Sequence, residues 1–300
     1  MKGFAHLDGL TRSIRLVHFT DPHIQPERGA VEGVQRALRA IQALSPDVDG
    51  LLLGGDVVMN SVGVRIERAQ EQWDLWDHVI ADHADLPIAP CIGNQDCWGW
   101  NRKSSGCNGS EPLFGKKMAM HRLGMPAPYY RLQVGIWRIL VLDSLQQGGS
   151  HGYTARLDPE QRKWLASELA DNTTSPTLVM SHVPLVAGPA DFFSSRVEAP
   201  NERGDWLYPG QHLHADSFEI LELFRRHPNV KVCVAGHIHC RQRIEFRGVT
   251  YLHSPAVCGE WWRGDYLGFG SGFTVLDLEP DGAFQATGVD VSAELRPSST

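Results

Sequence analysis

No C-x-x-C pair, no basic tail and no long apolar run occur in this 300-residue chain. Its six cysteines (91, 97, 107, 233, 240 and 258) are irregularly spaced, which gives neither a disulfide framework nor a cysteine zinc site anything to rest on. Free thiols in a reducing compartment are expected, with a Cys97–Cys107 bridge as the alternative in an exported protein. Net charge is −7 without clustered Lys and Arg, which argues against a large nucleic-acid footprint. A small phosphate ester stays open, because metal ions supply positive charge locally. No apolar stretch reaches the ~18 residues of a membrane span. The opening M-K-G-F-A-H-L-D-G-L has no apolar signal core or cleavage site. A cytoplasmic protein without membrane contact is therefore expected.

What is present is ordinary for a globular chain: 42% hydrophobic and 21% charged residues. Short apolar runs bounded by Gly or Pro alternate with amphipathic stretches. The pattern predicts strands at 14–19, 51–53, 88–92 and 177–180, and helices at 31–44, 67–83, 159–169 and 216–226. A hairpin is expected over 130–143, and further strands at 230–235, 244–246, 250–252, 273–278 and 284–289. Two irregular insertions, 98–128 and 187–214, interrupt the rhythm. The first carries a short helix near 116–122. No linker divides the chain, so 1–300 reads as one α/β domain.

Five segments each end an apolar run in metal-ligand side chains. They are T-D-P-H with Asp21 and His23, G-G-D with Asp56, G-N-Q-D with Asn94, M-S-H-V-P with His182, and G-H-I-H with His237 and His239. In open α/β sheets, ligands gather at the carboxyl ends of strands. In extended backbone, residues two apart face one side, so D-x-H and H-x-H each aim two donors at one region. Glycines 54, 55, 93 and 236 allow the backbone to turn tightly there. Imidazole, carboxylate and amide donors suit Fe, Mn, Zn or Ni. A carboxylate such as Asp56 can bridge two ions about 3.5–4 Å apart, and a shared water so activated attacks phosphorus as hydroxide. An isolated His is more often a surface or core residue than a ligand, and His212 and His214, with the same spacing, read as surface or rim residues. The ordered set of five segments outweighs coincidence.

This ordered set resembles the calcineurin-like metallophosphoesterase family, whose motifs are D-x-H, G-D, G-N-H-D/E, an H at an apolar strand end, and G-H-x-H. The resemblance runs from Arg15 to about Asp277. It implies two face-to-face β-sheets flanked by helices, a four-layer α/β/β/α sandwich, with a dinuclear centre at one edge. By resemblance, Asp21, His23 and His239 bind one ion, Asn94, His182 and His237 the other, and Asp56 bridges them. The stretch G-G-S-H-G-Y-T-A-R-L-D-P-E-Q-R-K-W-L looks like the linker of bacterial class III cyclic nucleotide and glycerophosphodiester phosphodiesterases. Purple acid phosphatases fit less well, since Val57 to Asn60 offer no Tyr after the G-D motif. G-E-W-W-R-G (259–264) is similar to part of a group of bacterial phosphoesterases of undefined substrate.

One position departs from the family. The motif His that donates a proton to the leaving group, or stabilises the transition state, is Gln95 here, although Asp96 follows as expected. An amide is no proton donor near neutral pH, though it hydrogen-bonds a phosphoryl oxygen. Losing a general acid typically costs about 10²–10⁴-fold. His151 or His214 is a candidate replacement. The catalytic set read from sequence is thus Asp56, Asn94, Gln95 and Asp96. The candidate substrate contacts are Trp98, Arg102, His151 and His214. Trp98, Trp100, Arg102, Lys103 and Lys116 of the first insertion suit a stacked base and a held phosphate equally well as a loop packed by its tryptophans. Trp261, Trp262 and Arg263 carry the same two readings. The expected activity is hydrolysis of a small phosphate mono- or diester, with a nucleotide among the candidate substrates. The alternative is a phosphate-ligand binding or regulatory protein with a degenerate site.

Overall fold

The computed structural model describes residues 4–83, 85–149, 152–194, 200–206 and 208–291. One sheet has five strands in the order β13-β12-β1-β2-β3: β1 is Ile14–Phe19, β2 Gly50–Leu53, β3 Ile88–Pro90, β12 Gly272–Leu278 and β13 Phe284–Asp290. The first three run parallel to one another, and β12 and β13 add on antiparallel. The second sheet has the order β10-β11-β9-β8-β5-β4: β4 is Tyr130–Val134, β5 Trp137–Val141, β8 Thr177–Met180, β9 Val230–Ala235, β10 Gln242–Phe246 and β11 Val249–His253. Its centre is parallel and its two edges antiparallel.

Side-chain alternation builds the layers. Ile14 and Leu16 of β1 and Leu276 of β12 meet Leu178 and Met180 of β8 and Val232 of β9 in a core between the sheets. The opposite face of the first sheet, Val17 and Phe19 with Leu51 and Leu53, packs on α1 (Ala30–Gln42) and α2 (Ile66–Ala81) through Val34, Leu38, Trp73 and Trp76. The outer face of the second sheet packs on α5 (Pro159–Asp171) and α7 (Ser217–Arg225) through Leu165, Leu169, Ile220 and Phe224. The α/β/β/α sandwich expected from the sequence is the fold found. α5 starts as its sequence dictates, with Asp158 accepting from the Gln161 N–H and Pro159 in the first turn.

The insertions carry more structure than their composition suggests. The first holds α3 (Arg102–Ser105) and α4 (Lys116–Leu123), and the second holds α6 (Pro189–Ser194). A two-stranded ribbon of β6 (Leu145–Gln147) and β7 (Tyr153–Ala155) stands where a linker was expected. The six cysteines are free; Cys97 Sγ lies by the Gly93 carbonyl and Cys107 Sγ by that of Gly99. No helix among the described residues is long and apolar enough to cross a membrane.

Candidate metal centre

Each segment singled out from sequence follows the carboxyl end of a parallel strand. β1 leads to Asp21 and His23, β2 to Asp56, β3 to Asn94, β8 to His182, and β9 to His237 and His239. The structure brings all seven together. The extended geometry expected for D-x-H and H-x-H is not how it does so. Asp21 (φ 53°), His23 (φ 42°), Asp56 (φ 51°), His237 (φ 70°) and His239 (φ 58°) all adopt left-handed backbone. Such conformations cost of order 1–3 kcal/mol each without Gly, and they persist where surrounding structure over-determines them. Each turn tucks the chain back over the sheet edge and aims the donor inward. Gly93 is needed for closeness, since a Cβ there would meet the Asp56 backbone nitrogen at 2.0 Å.

Asp56 sits between two histidine groups. Its Oδ2 lies 3.6 Å from His23 Nε2 and its Oδ1 3.4 Å from His182 Nε2. Asp21 Oδ1 lies 3.8 Å from His23 Nε2 and 3.5 Å from His239 Nε2. On the other side, Asn94 Oδ1 is 3.2 Å from His182 Nε2, and His237 clusters with Asp56 and His182. The rings are oriented from behind. His182 Nδ1 faces the Gly54 carbonyl at 2.8 Å, His239 Nδ1 that of Gly259 at 2.7 Å, and His237 Nε2 that of Gln211 at 3.1 Å. A carbonyl partner fixes the N–H on that nitrogen and leaves the other lone pair directed into the site.

Electrostatics match a cation. Asp21 Oδ1 and both nitrogens of His23 are buried without a hydrogen-bond partner, an arrangement that costs free energy unless a cation satisfies it. Burial pushes His23 down to about 4, so its imidazole is neutral and able to ligate. Burial works the same way on His182, yet the Asp56 and Asp21 carboxylates override it and raise that ring to about 9, a field that favours positive charge at this spot and that a bound cation would meet in place of the proton. Residues of this type, geometry and charge fit two transition-metal ions sharing Asp56.

A family model for calcineurin-like phosphoesterases matches residues 14–241. The chain belongs to that family. As a calcineurin-like phosphoesterase it is a metal-dependent hydrolase of phosphoric esters. Among its relatives is a probable cyclic nucleotide phosphodiesterase of Synechococcus, 28% identical over 93% of this chain and 92% of that one. The 3′,5′-cyclic adenosine monophosphate phosphodiesterase CpdA of Escherichia coli K12 is 26% identical over 82% of this chain and 76% of its own. A dimetal phosphatase from Danio rerio shares the fold, with a TM-score of 0.63 at 14% identity, covering 92% of this chain and 97% of that one.

The phosphoesterase has an open cavity of about 500 Å³ over the donors, and it corrects several substrate assignments. Trp98 is buried and its indole N–H donates to the Val64 carbonyl, so it packs the first insertion. Arg102 stacks over Phe114 instead of lining the cavity. His214 is no rim residue: it is buried, with Nε2 3.0 Å from Ser181 Oγ and Nδ1 3.2 Å from Asp216 Oδ1. His151 lies outside the described residues. Asp96 does not reach the cavity either. Its Oδ1 accepts from the Val57 and Val58 N–H groups and its Oδ2 from that of Gly93, while burial pushes its pKa up to about 7. Gln95 does line the cavity, with its Oε1 lacking a partner.

Of the other cavity residues, Tyr153, Gln211 and Tyr266 escaped the sequence reading, whereas His212 is one of the two expected surface or rim histidines and Trp261 one of the tryptophans given both a stacking and a packing reading. Tyr153 comes from the ribbon, its hydroxyl 3.4 Å from His237 Nε2. Its only signal was a Tyr-Thr pair after a Gly-rich turn, too short to mark a strand. Gln211 and His212 come from the second insertion, His212 packing its ring 5.4 Å from that of His237. Trp261 and Tyr266 close the side by His239.

Proposed function

We propose that this phosphoesterase hydrolyses a small singly charged phosphodiester, a 3′,5′-cyclic nucleotide, at a centre of two first-row transition-metal ions. In this reading Asp21, His23 and His239 would hold one ion and Asn94, His182 and His237 the other, with Asp56 available to both. The observation that carries it is the charge of the cavity wall. Among the described residues lining it there is no Lys and no Arg. A monoester dianion or a polyphosphate calls for such residues beyond the ions; a diester, with one negative charge, does not. The cavity volume suits one nucleotide-sized ligand. Relatives bearing cyclic-nucleotide names over most of both chains point the same way.

When bound, the ions neutralise phosphate charge and lower the pKa of an attacking water. The protein does the rest. The Gly54, Gly259 and Gln211 carbonyls hold three imidazoles in one tautomer each. The Gln95 carboxamide donates an N–H to a phosphoryl oxygen and supplies no proton to the leaving group. Tyr153, kept protonated because burial raises its pKa, adds a neutral hydroxyl donor at the His237 side. The test compares adenosine 3′,5′-cyclic monophosphate, bis-p-nitrophenyl phosphate and p-nitrophenyl phosphate on Mn²⁺-loaded protein. Both diesters should be turned over with higher kcat/KM than the monoester. A clear preference for the monoester would overturn the proposal.

A further inference from the structure

Two consecutive tryptophans, Trp261 (φ 46°) and Trp262 (φ 65°), both adopt left-handed backbone. Bulky aromatic residues rarely do, and the strain points to a function. Trp262 is the anchor. Its indole N–H is shared between the carbonyls of Pro22 (3.0 Å) and His23 (3.1 Å). Its six-membered ring seats on Gly33 of α1, where any Cβ would lie 2.0 Å from it. With Trp262 so held, the strained turn throws Trp261 to the opposite side, onto the candidate metal centre.

Trp261 is half-buried and lines the cavity. Its ring lies 4.8 Å from His239, 6.3 Å from His23 and 5.5 Å from Tyr266, which meets it edge to face. Tyr266 lines the same cavity and is fixed by a two-way backbone bridge with Phe269. The two rings make an apolar, rigid wall beside one candidate ion, in a cavity otherwise rich in carboxamides: Asn60, Gln95, Asn101 and Gln211. A nucleobase has this dual character, an aromatic face and an edge of donors and acceptors.

We infer that Trp261, braced by Tyr266, is the stacking platform for the planar base of the substrate and sets the preference for nucleotides over other phosphate esters. The inference rests on the nucleotide reading of the site for its biological meaning. Its test, however, reads binding of the base alone.

Dissociation constants for adenosine 5′-monophosphate and ribose 5-phosphate are measured by calorimetry on the metal-loaded full chain, for the wild type, Trp261→Ala and Trp261→Phe. Stacking on an aromatic side chain predicts that the wild type binds the nucleotide about tenfold or more tighter than the sugar phosphate. Trp261→Ala should lose most of that ratio and Trp261→Phe should keep most of it. Should Trp261→Ala not fold or not take up metal, Tyr266→Leu serves instead, with a partial loss of the ratio expected. A wild type with no preference, or a preference intact in Trp261→Ala, overturns the platform. Absence of cyclic-nucleotide turnover with an intact, Trp261-dependent ratio would instead overturn the proposed substrate and leave the platform standing.

Discussion

The Gln95 backbone N–H donates to Asp56 Oδ1 at 2.7 Å. Position 95 therefore orients the central carboxylate through its main chain, whatever its side chain. The amide side chain at the position where the resemblance implies a His therefore leaves that bond undisturbed while offering no acidic proton to the cavity.

Restoring the imidazole should accordingly be a gain. Gln95→His is expected to raise turnover of alkyl phosphodiesters by tenfold or more, within the ~10²–10⁴-fold worth of general acid catalysis. On p-nitrophenyl esters, whose leaving group needs no proton, the change should stay within about threefold. A leaving-group series reads this directly. A fall on every substrate would show that the amide is itself needed.

The seat of Trp262 makes a second prediction, of unusual sign. Gly to Ala inside a helix normally gains up to ~1 kcal/mol. At Gly33 the added Cβ meets the Trp262 ring at 2.0 Å, and overpacking costs about 1–3 kcal/mol. Gly33→Ala should lower the unfolding free energy measured by urea titration by a net of about 1 kcal/mol. A stabilised variant would contradict the seat.

His214 and Asp216, a pair outside the donor set, give a pH dependence of stability. Burial alone would raise the Asp216 pKa, but the His214 bond and the Leu157 N–H outweigh it and hold the carboxyl below its usual range. A depressed folded-state pKa stabilises the fold above the unfolded value of ~3.9 and loses that stability as pH falls through the folded value. Asp216→Asn should cost about 1.5–3 kcal/mol at pH 7. Relative to the wild type, the loss should shrink below about pH 4, as chemical denaturation at pH 3, 5 and 7 would show.

Sequence made legible whatever local chemistry decides. β8 and β9 were expected at their observed ends because Thr177–Met180 and Val230–Ala235 are short apolar runs between breakers. The donors were legible because each closes such a run. The left-handed turns that aim them were not, since Asp21 and His239 belong to residue types that mostly adopt negative φ. Trp98 and Arg102 misled for a related reason: aromatic and basic residues in a loop look alike whether they face a ligand or pack the loop, and only the Val64 and Phe114 contacts decide. His214 and His212 share one spacing, yet one is buried beneath the site and the other lines it. Nothing within two residues separates those fates.

Asp56 is the residue both donor groups share, so Asp56→Ala should remove more than one ligand's worth of affinity. Hydrolysis of bis-p-nitrophenyl phosphate should fall by at least ~10³-fold, the scale of losing a principal electrostatic group. Retained activity would place the reaction elsewhere in the cavity.

Elemental analysis of the purified chain after Mn²⁺, Fe or Zn loading tests the central claim most directly. The account predicts about two transition-metal ions per wild-type chain and at most about one in Asp56→Ala. A wild-type chain that takes up none, or an Asp56→Ala chain that keeps both, would contradict it.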